Sequence, residues 1–173
     1  MSLVVSDSGP IHYLVLGEAI NVIPLLYGRL VIPSSVTEEL THPHAPPEVQ
    51  AWLRALPPWA NVQIATEIDS AAQLGLGERE AIALARELKA TGLLLDDRVA
   101  RRVAVERGLL ITGTVGILER AAEQGLLNLS DAFQELLRTN FRVDAEVIRE
   151  ALERDVARQR RAGSHPKPRG RGR

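Results

Sequence analysis

The chain has 173 residues, 45% apolar and 25% charged, with a net charge of −1; this suffices for one domain with its own core and excludes a low-complexity or wholly disordered polypeptide. Cysteine is absent, so disulfides and thiolate metal sites are excluded together and any metal must be held by oxygen or histidine. No apolar run approaches the roughly 20 residues that span a bilayer and no basic n-region opens the chain, so a cytoplasmic protein with no membrane partner is expected.

Leu3–Ser6 is a short β-branched strand running into Asp7, after which Ser8, Gly9 and Pro10 turn the chain. Ile11, Leu14 and Val15, then Ile20, Ile23, Leu25 and Leu26, predict a helix or helix pair interrupted near Gly17 and Pro24 that mainly supplies core. Leu30–Ile32 reads as a strand. Pro33, Ser34 and Ser35 then start a helix carrying Val36, Glu38, Glu39 and Leu40. Ser35 and Glu38 stand at capping-box spacing, which gives Glu38 a structural role and leaves Glu39 without one. In the loop that follows, His42 and His44 could share a metal, although two histidines in a proline-rich loop are more often simply exposed.

Pro47 opens a helix through Trp52, Leu53 and Leu56, closed by Pro57 and Pro58, and Val62–Ile64 predicts another strand. Gly75 and Gly77 precede a helix whose apolar face is Ala81, Leu84, Ala85 and Leu88. Glu78 and Glu80 fall in its first turn, where the helix dipole by itself favours a carboxylate by roughly 0.3–1 kcal/mol. Leu93–Leu95, too short for a helix, reads as a strand buried on both faces that stops at Asp96 and Asp97. Val99, Ala100, Val103 and Ala104 then recur at helical spacing up to Gly108, and Leu109–Thr112 returns as a strand, making one right-handed βαβ unit. Either aspartate could cap that helix, but one cap accounts for one acid, not two. The hydroxyls of Thr112 and Thr114 could orient a ligand, and capping explains them equally well.

Further helices are expected through Ile117, Leu118 and Ala121, from Ser130 through Phe133 and Leu136, and from Asp144 through Val147, Ile148, Ala151, Leu152 and Val156. Residues 158–173 carry seven Lys or Arg and no acid, which leaves residues 1–157 with 14 basic and 22 acidic side chains, net −8. That basic tail, rich in Gly and Pro, is expected to be disordered; its composition suits nucleic acid, with Arg158, Arg160, Arg161, Arg169, Arg171 and Arg173 as the candidate contacts, though a solubilising tail is equally simple.

Asp7, Glu39, Glu78 and Asp97, with Asp96 and Glu80 beside them, arrive from four segments at strand ends or helix starts. In a parallel sheet the strand ends converge on one edge, so such acids can form a cluster that no local pattern reveals. Carboxylates held close repel unless a cation sits among them, and an oxygen-only ligand set selects magnesium or manganese, ions suited to metal-assisted phosphodiester hydrolysis.

The segments VVSDSGP, VIPSSVTEEL, LGLGEREAIALA and LLLDDRVARRVAVERGLLITGTVGIL together resemble the PIN domain, in the branch near VapC-type toxins of toxin–antitoxin pairs, over Leu3 to about Leu127. The resemblance implies a three-layer α/β/α sandwich with a central, mainly parallel sheet, and a Mg2+- or Mn2+-dependent endoribonuclease cutting single-stranded or loop RNA and restrained by a small antitoxin. It assigns Asp7, Glu39, Glu78 and Asp97 as the catalytic acids, with Asp7, Glu78 and Asp97 holding the metal and Ser8, Glu80, Asp96, Thr112 and Thr114 as secondary candidates. Glu80 stays open against Glu78, and Asp96 against Asp97. The expected organisation is a PIN-like domain at 1–127, a helical extension packed on it at 128–157 and the basic tail at 158–173; a homodimer is left open. The rival readings are an inactive relative that binds RNA or protein through the same cleft, and a different metal phosphohydrolase, which the lack of a P-loop weakens.

Overall fold

The computed structural model describes residues 2–163. Five short strands, β1 (Leu3–Ser6), β2 (Arg29–Pro33), β3 (Ala60–Gln63), β4 (Gly92–Leu94) and β5 (Ile111–Thr112), form one sheet in the order β3-β2-β1-β4-β5, and every pairing is parallel. Helices α1 (Ser8–Leu16) and α2 (Val22–Tyr27) connect β1 to β2, and α3 (Ser34–Leu40) and α4 (Pro47–Arg54) connect β2 to β3. Helix α5 (Leu76–Glu87) carries the chain from the β3 edge across to β4, and α6 (Arg98–Glu106) joins β4 to β5. Helices α7 (Thr114–Glu123), α8 (Leu129–Leu137) and α9 (Ala145–Gly163) complete the chain.

The period-two alternation of strands decides which helices share a layer. Val4, Leu30, Ile32 and Leu94 point to one side, where Ile11, Ile23, Val36, Ile117 and Phe133 cover them. Val5, Val31, Leu93 and Leu95 point to the other and meet Ala81, Ile82, Leu84, Ala100 and Val103 of α5 and α6. The result is the α/β/α sandwich expected from the sequence. Strands buried on both faces cannot alternate polar and apolar residues, which is why the sequence shows them as continuous runs. Helices α8 and α9 add Leu129, Phe133, Leu136 and Ala151 to the same core cluster as Val4 and Leu94.

Several local expectations are corrected. The helix expected to end before Arg158 continues to Gly163, so Arg158, Arg160 and Arg161 lie on α9 rather than in a disordered tail. The physical reason is a run of one-turn pairs: Arg149 with Glu146 and Glu153, and Arg158 and Gln159 with Asp155. Arg169, Arg171 and Arg173 lie outside the described residues. Pro24 does not interrupt a helix but sits in the first turn of α2, where its missing N–H costs nothing. Ile64, expected within a strand, stands just past β3 and is exposed. Asn128, not Ser130, caps α8, its side chain accepting from the Asp131 N–H at 3.0 Å.

The Ser35–Glu38 capping box does not form either, because Ser35 is engaged elsewhere. Its N–H and hydroxyl both donate to Glu80, which also accepts from the Ser34 hydroxyl and, at 3.1 Å, from the Ala65 N–H. Burial would raise the Glu80 carboxyl, but the bonds from Ser35, Ala65 and Ser34 outweigh it and hold the group below its ordinary value. A buried ionised glutamate thus ties α5 to α3 and to the turn after β3.

Removing it leaves those donors without partners, so Glu80→Ala is expected to destabilise the fold by about 3 kcal/mol. Urea denaturation above pH 6 measures this. Because the folded pKa is depressed, wild type holds this contribution above the unfolded pKa and loses it as pH falls through the folded one, so the gap between wild type and variant should narrow toward acid.

Candidate active site

At the carboxyl edge of the sheet, β1 lies between β2 and β4; the connection after β1 runs to β2 on one side and that after β4 runs to β5 on the other. Such a switch point opens a crevice beyond the strand ends. The Asp7 N–H donates to the Leu94 carbonyl at 3.0 Å, which fixes the first acid against the end of β4. Asp7 is 7% exposed, and its Oδ1 has no hydrogen-bond partner.

Burial pushes the Asp7 carboxyl up to about 7, the Ser8 N–H opposes this, and the charges of Glu39, Glu78 and Asp96 raise it further. Glu78 is raised by burial, opposed by a hydrogen bond from the Gly75 N–H at 3.0 Å, and raised again by Asp97 and Glu39. The acids from four segments therefore feel one another's charge. Gly77 permits the approach of α3 to α5: a Cβ there would stand 2.6 Å from Glu39 Oε1 and 3.2 Å from a Val36 methyl.

The two strand-end aspartates divide their roles. Asp97 is exposed and caps α6, its Oδ1 accepting from the Ala100 N–H at 2.8 Å, while its charge still reaches Glu78. Asp96 turns toward Asp7 and is held by Thr114, whose N–H and hydroxyl each donate to it at 2.7 Å. Burial raises the Asp96 carboxyl, while Thr114 and then Arg101 pull it down. One acid is thus a cap and the other a member of the cluster. Glu80, the alternative to Glu78, faces Ser34, Ser35 and Ala65 and takes no part. Thr112 lines a cleft with Asp96, Arg101 and Arg142, and Ser8 lines another with Glu39.

Arg101 is the residue that sequence reasoning missed, because only the apolar positions of its helix carry a periodic signal. It reaches back over Gly113, where a Cβ would stand 2.5 Å from Arg101 Nη1 and 3.0 Å from Asp96 Oδ1.

Among the described residues no three His, Asp or Glu side chains stand close enough to enclose an ion unaided. The donor set nevertheless fits a hard cation: oxygen only, convergent in charge, with a buried carboxylate oxygen left unpartnered. No helix among the described residues is long and apolar enough to cross a membrane.

Comparison with known proteins places this geometry in a family context. The family model DUF3368, described as a PIN domain, matches residues 3–156. No curated protein matches the chain. Among solved structures, a PilT N-terminus domain protein from the hyperthermophilic archaeon Sulfolobus solfataricus is 16% identical, with a TM-score of 0.47, over 83% of this chain and all of that one.

Two outcomes follow from the site's electrostatics. A carboxyl with a folded pKa near 7 stabilises the metal-free protein below its unfolded pKa of about 3.8, and that stability is lost as pH rises through 7. Metal-free wild type should therefore weaken by up to about 4 kcal/mol between pH 4 and 8, and Asp7→Asn should flatten that slope and melt higher at pH 8, measured by thermal melts in EDTA. Gly77→Ala should displace Glu39 yet leave the protein folded, so circular dichroism should be unchanged while any activity of the site falls at least about tenfold.

Proposed function

Because this chain belongs to the PIN domain family, whose members are typically nucleases, we propose that it is a Mg2+- or Mn2+-dependent endoribonuclease, the toxin of a toxin–antitoxin pair restrained by a small antitoxin. The observation that carries this reading is the buried, unpartnered Asp7 Oδ1 among the charges of Glu39, Glu78 and Asp96. A cation would satisfy that oxygen and relieve the repulsion at once.

Asp7, Glu78 and the strand-end pair Asp96 and Asp97 are the residues to hold the ion, and Glu39 completes the negative wall. When bound, such an ion supplies an activated water and neutralises charge growing on a phosphodiester. The remaining work belongs to the chain. Thr114 locks the Asp96 carboxylate through both of its oxygens, so the ligand is oriented before anything binds. The Ser8 N–H favours the charged form of Asp7 and leaves its Oδ1 free. Arg101, beside Asp96, is the cation available to steer a phosphate toward the acids. Arg160 and Arg161 near the end of α9, with the basic residues after Gly163, add charge-driven affinity that does not depend on RNA sequence.

Asp7→Asn, Glu39→Gln, Glu78→Gln and Asp96→Asn should each lower metal-dependent cleavage of a single-stranded RNA by more than about 100-fold without unfolding the protein, and the losses should not add. Asp97→Asn should lose less than Asp96→Asn. Single-turnover cleavage with Mg2+ or Mn2+, alongside circular dichroism, measures both. A folded Asp7→Asn protein that cuts at the wild-type rate would remove the nuclease reading.

A further inference from the structure

Next to the acid cluster, and sharing Ser8, Gly9 and Glu39 with it, lies an open cleft of about 540 Å3 whose other walls include His12, Tyr13, His42, His44 and Asn140. That volume is within the roughly 300–1,000 Å3 usual for small-ligand sites. Its lining contains no Lys or Arg. The cations lie elsewhere, Arg101 and Arg142 standing in the second cleft with Asp96 and Thr112. The surroundings of the cluster are therefore unequal: guanidinium groups, with the Phe141 ring, line one cleft, and imidazole and phenol rings without any guanidinium line the other.

The rings are arranged rather than scattered. His42 and His44 lie face to face, with centroids 5.1 Å apart and planes 26° from parallel. His12 stands edge-on to Tyr13 at 4.7 Å, and Tyr13 stands edge-on to Phe141 at 4.7 Å, which fixes the tyrosine ring from both sides. A cleft beside Glu39 and without a cation repels phosphate but not an uncharged heteroaromatic ring. Ring faces offer stacking, and the Asn140 amide, the Tyr13 hydroxyl and the imidazoles offer donors and acceptors along a base edge.

We propose that this cleft is a nucleobase subsite that takes one unpaired base of single-stranded RNA, next to the phosphodiester presented to the acids. The assignment rests on the ribonuclease reading and adds to it a contact with one base, which must be unpaired because a base held in a duplex is stacked and cannot enter.

The test uses the full chain and fluorescein-labelled single-stranded pentaribonucleotides in which each position in turn is made abasic, with binding followed by anisotropy in Ca2+. At one position, loss of the base should weaken wild-type binding about tenfold. His44→Ala and Asn140→Ala change exposed residues, so the fold should survive. Each should bring the intact oligonucleotide to the affinity of the abasic one while leaving the abasic affinity within about twofold. The subsite is overturned if no position discriminates, if no oligonucleotide binds, or if the variants weaken intact and abasic ligands equally. Wild-type cleavage in Mn2+, run in parallel, separates the two readings. Equal kcat/KM on intact and abasic substrates removes the subsite and leaves the nuclease; base-dependent binding without cleavage keeps the cleft as a base-binding site and removes the nuclease.

Discussion

The constraint on which this structure turns is the confinement of like charges at one edge of a parallel sheet. Asp7 is buried with one oxygen unpartnered, and Glu39, Glu78 and Asp96 all bear on it. Carboxylates in such surroundings raise one another's pKa, and the cost is borne by the fold unless a cation is supplied. The arrangement is also built to persist. Thr114 fixes Asp96, the Gly75 N–H fixes Glu78, Leu94 fixes the backbone of Asp7, and Gly77 lets α3 and α5 approach closely enough for Glu39 to join.

Glu80 shows what the same carboxylate does when stability is the only demand on it. Only two residues from Glu78 on the same helix, it is almost fully buried, yet several N–H and O–H groups from two other segments donate to it and it remains ionised. Asp7 is almost equally buried and is driven the opposite way. Burial is common to both; the difference lies in donors for Glu80 and other acids for Asp7. That contrast marks one carboxylate as scaffold and the other as a site, without reference to any relative.

The environment of the cluster carries a second asymmetry. On the Asp96 side stand Arg101 and Arg142, suited to phosphate, and on the Glu39 side stand imidazole and phenol rings, suited to bases. The proposed function draws on this difference, because a sugar–phosphate chain carries phosphates and pendant bases together whereas a small phosphate ester carries only the first.

The sequence by itself determined the sheet and supplied the acids proposed for the site. Its apolar runs at residues 3–6, 30–32 and 93–95 are short because parallel strands buried on both faces need no polar alternation, and acids just beyond such runs must land at the strand ends. It also drew those candidate acids from four segments, since the strand ends of a parallel sheet converge whatever the details of packing. Tertiary structure alone decided which of two neighbouring acids did what. Asp96 and Asp97 are one residue apart, and the Ala100 N–H claims one for the cap while Thr114, 18 residues on, claims the other. Glu78 and Glu80 were separated by hydrogen bonds from Ser34 and Ser35, more than 40 residues away, which also dissolved the expected box at Glu38. The extension of α9 through Arg158 depended on side-chain pairs that offset a composition otherwise read as disorder. Periodicity reports the direction of a backbone; the partner a side chain finds across the fold is a long-range fact that one-dimensional spacing does not hold.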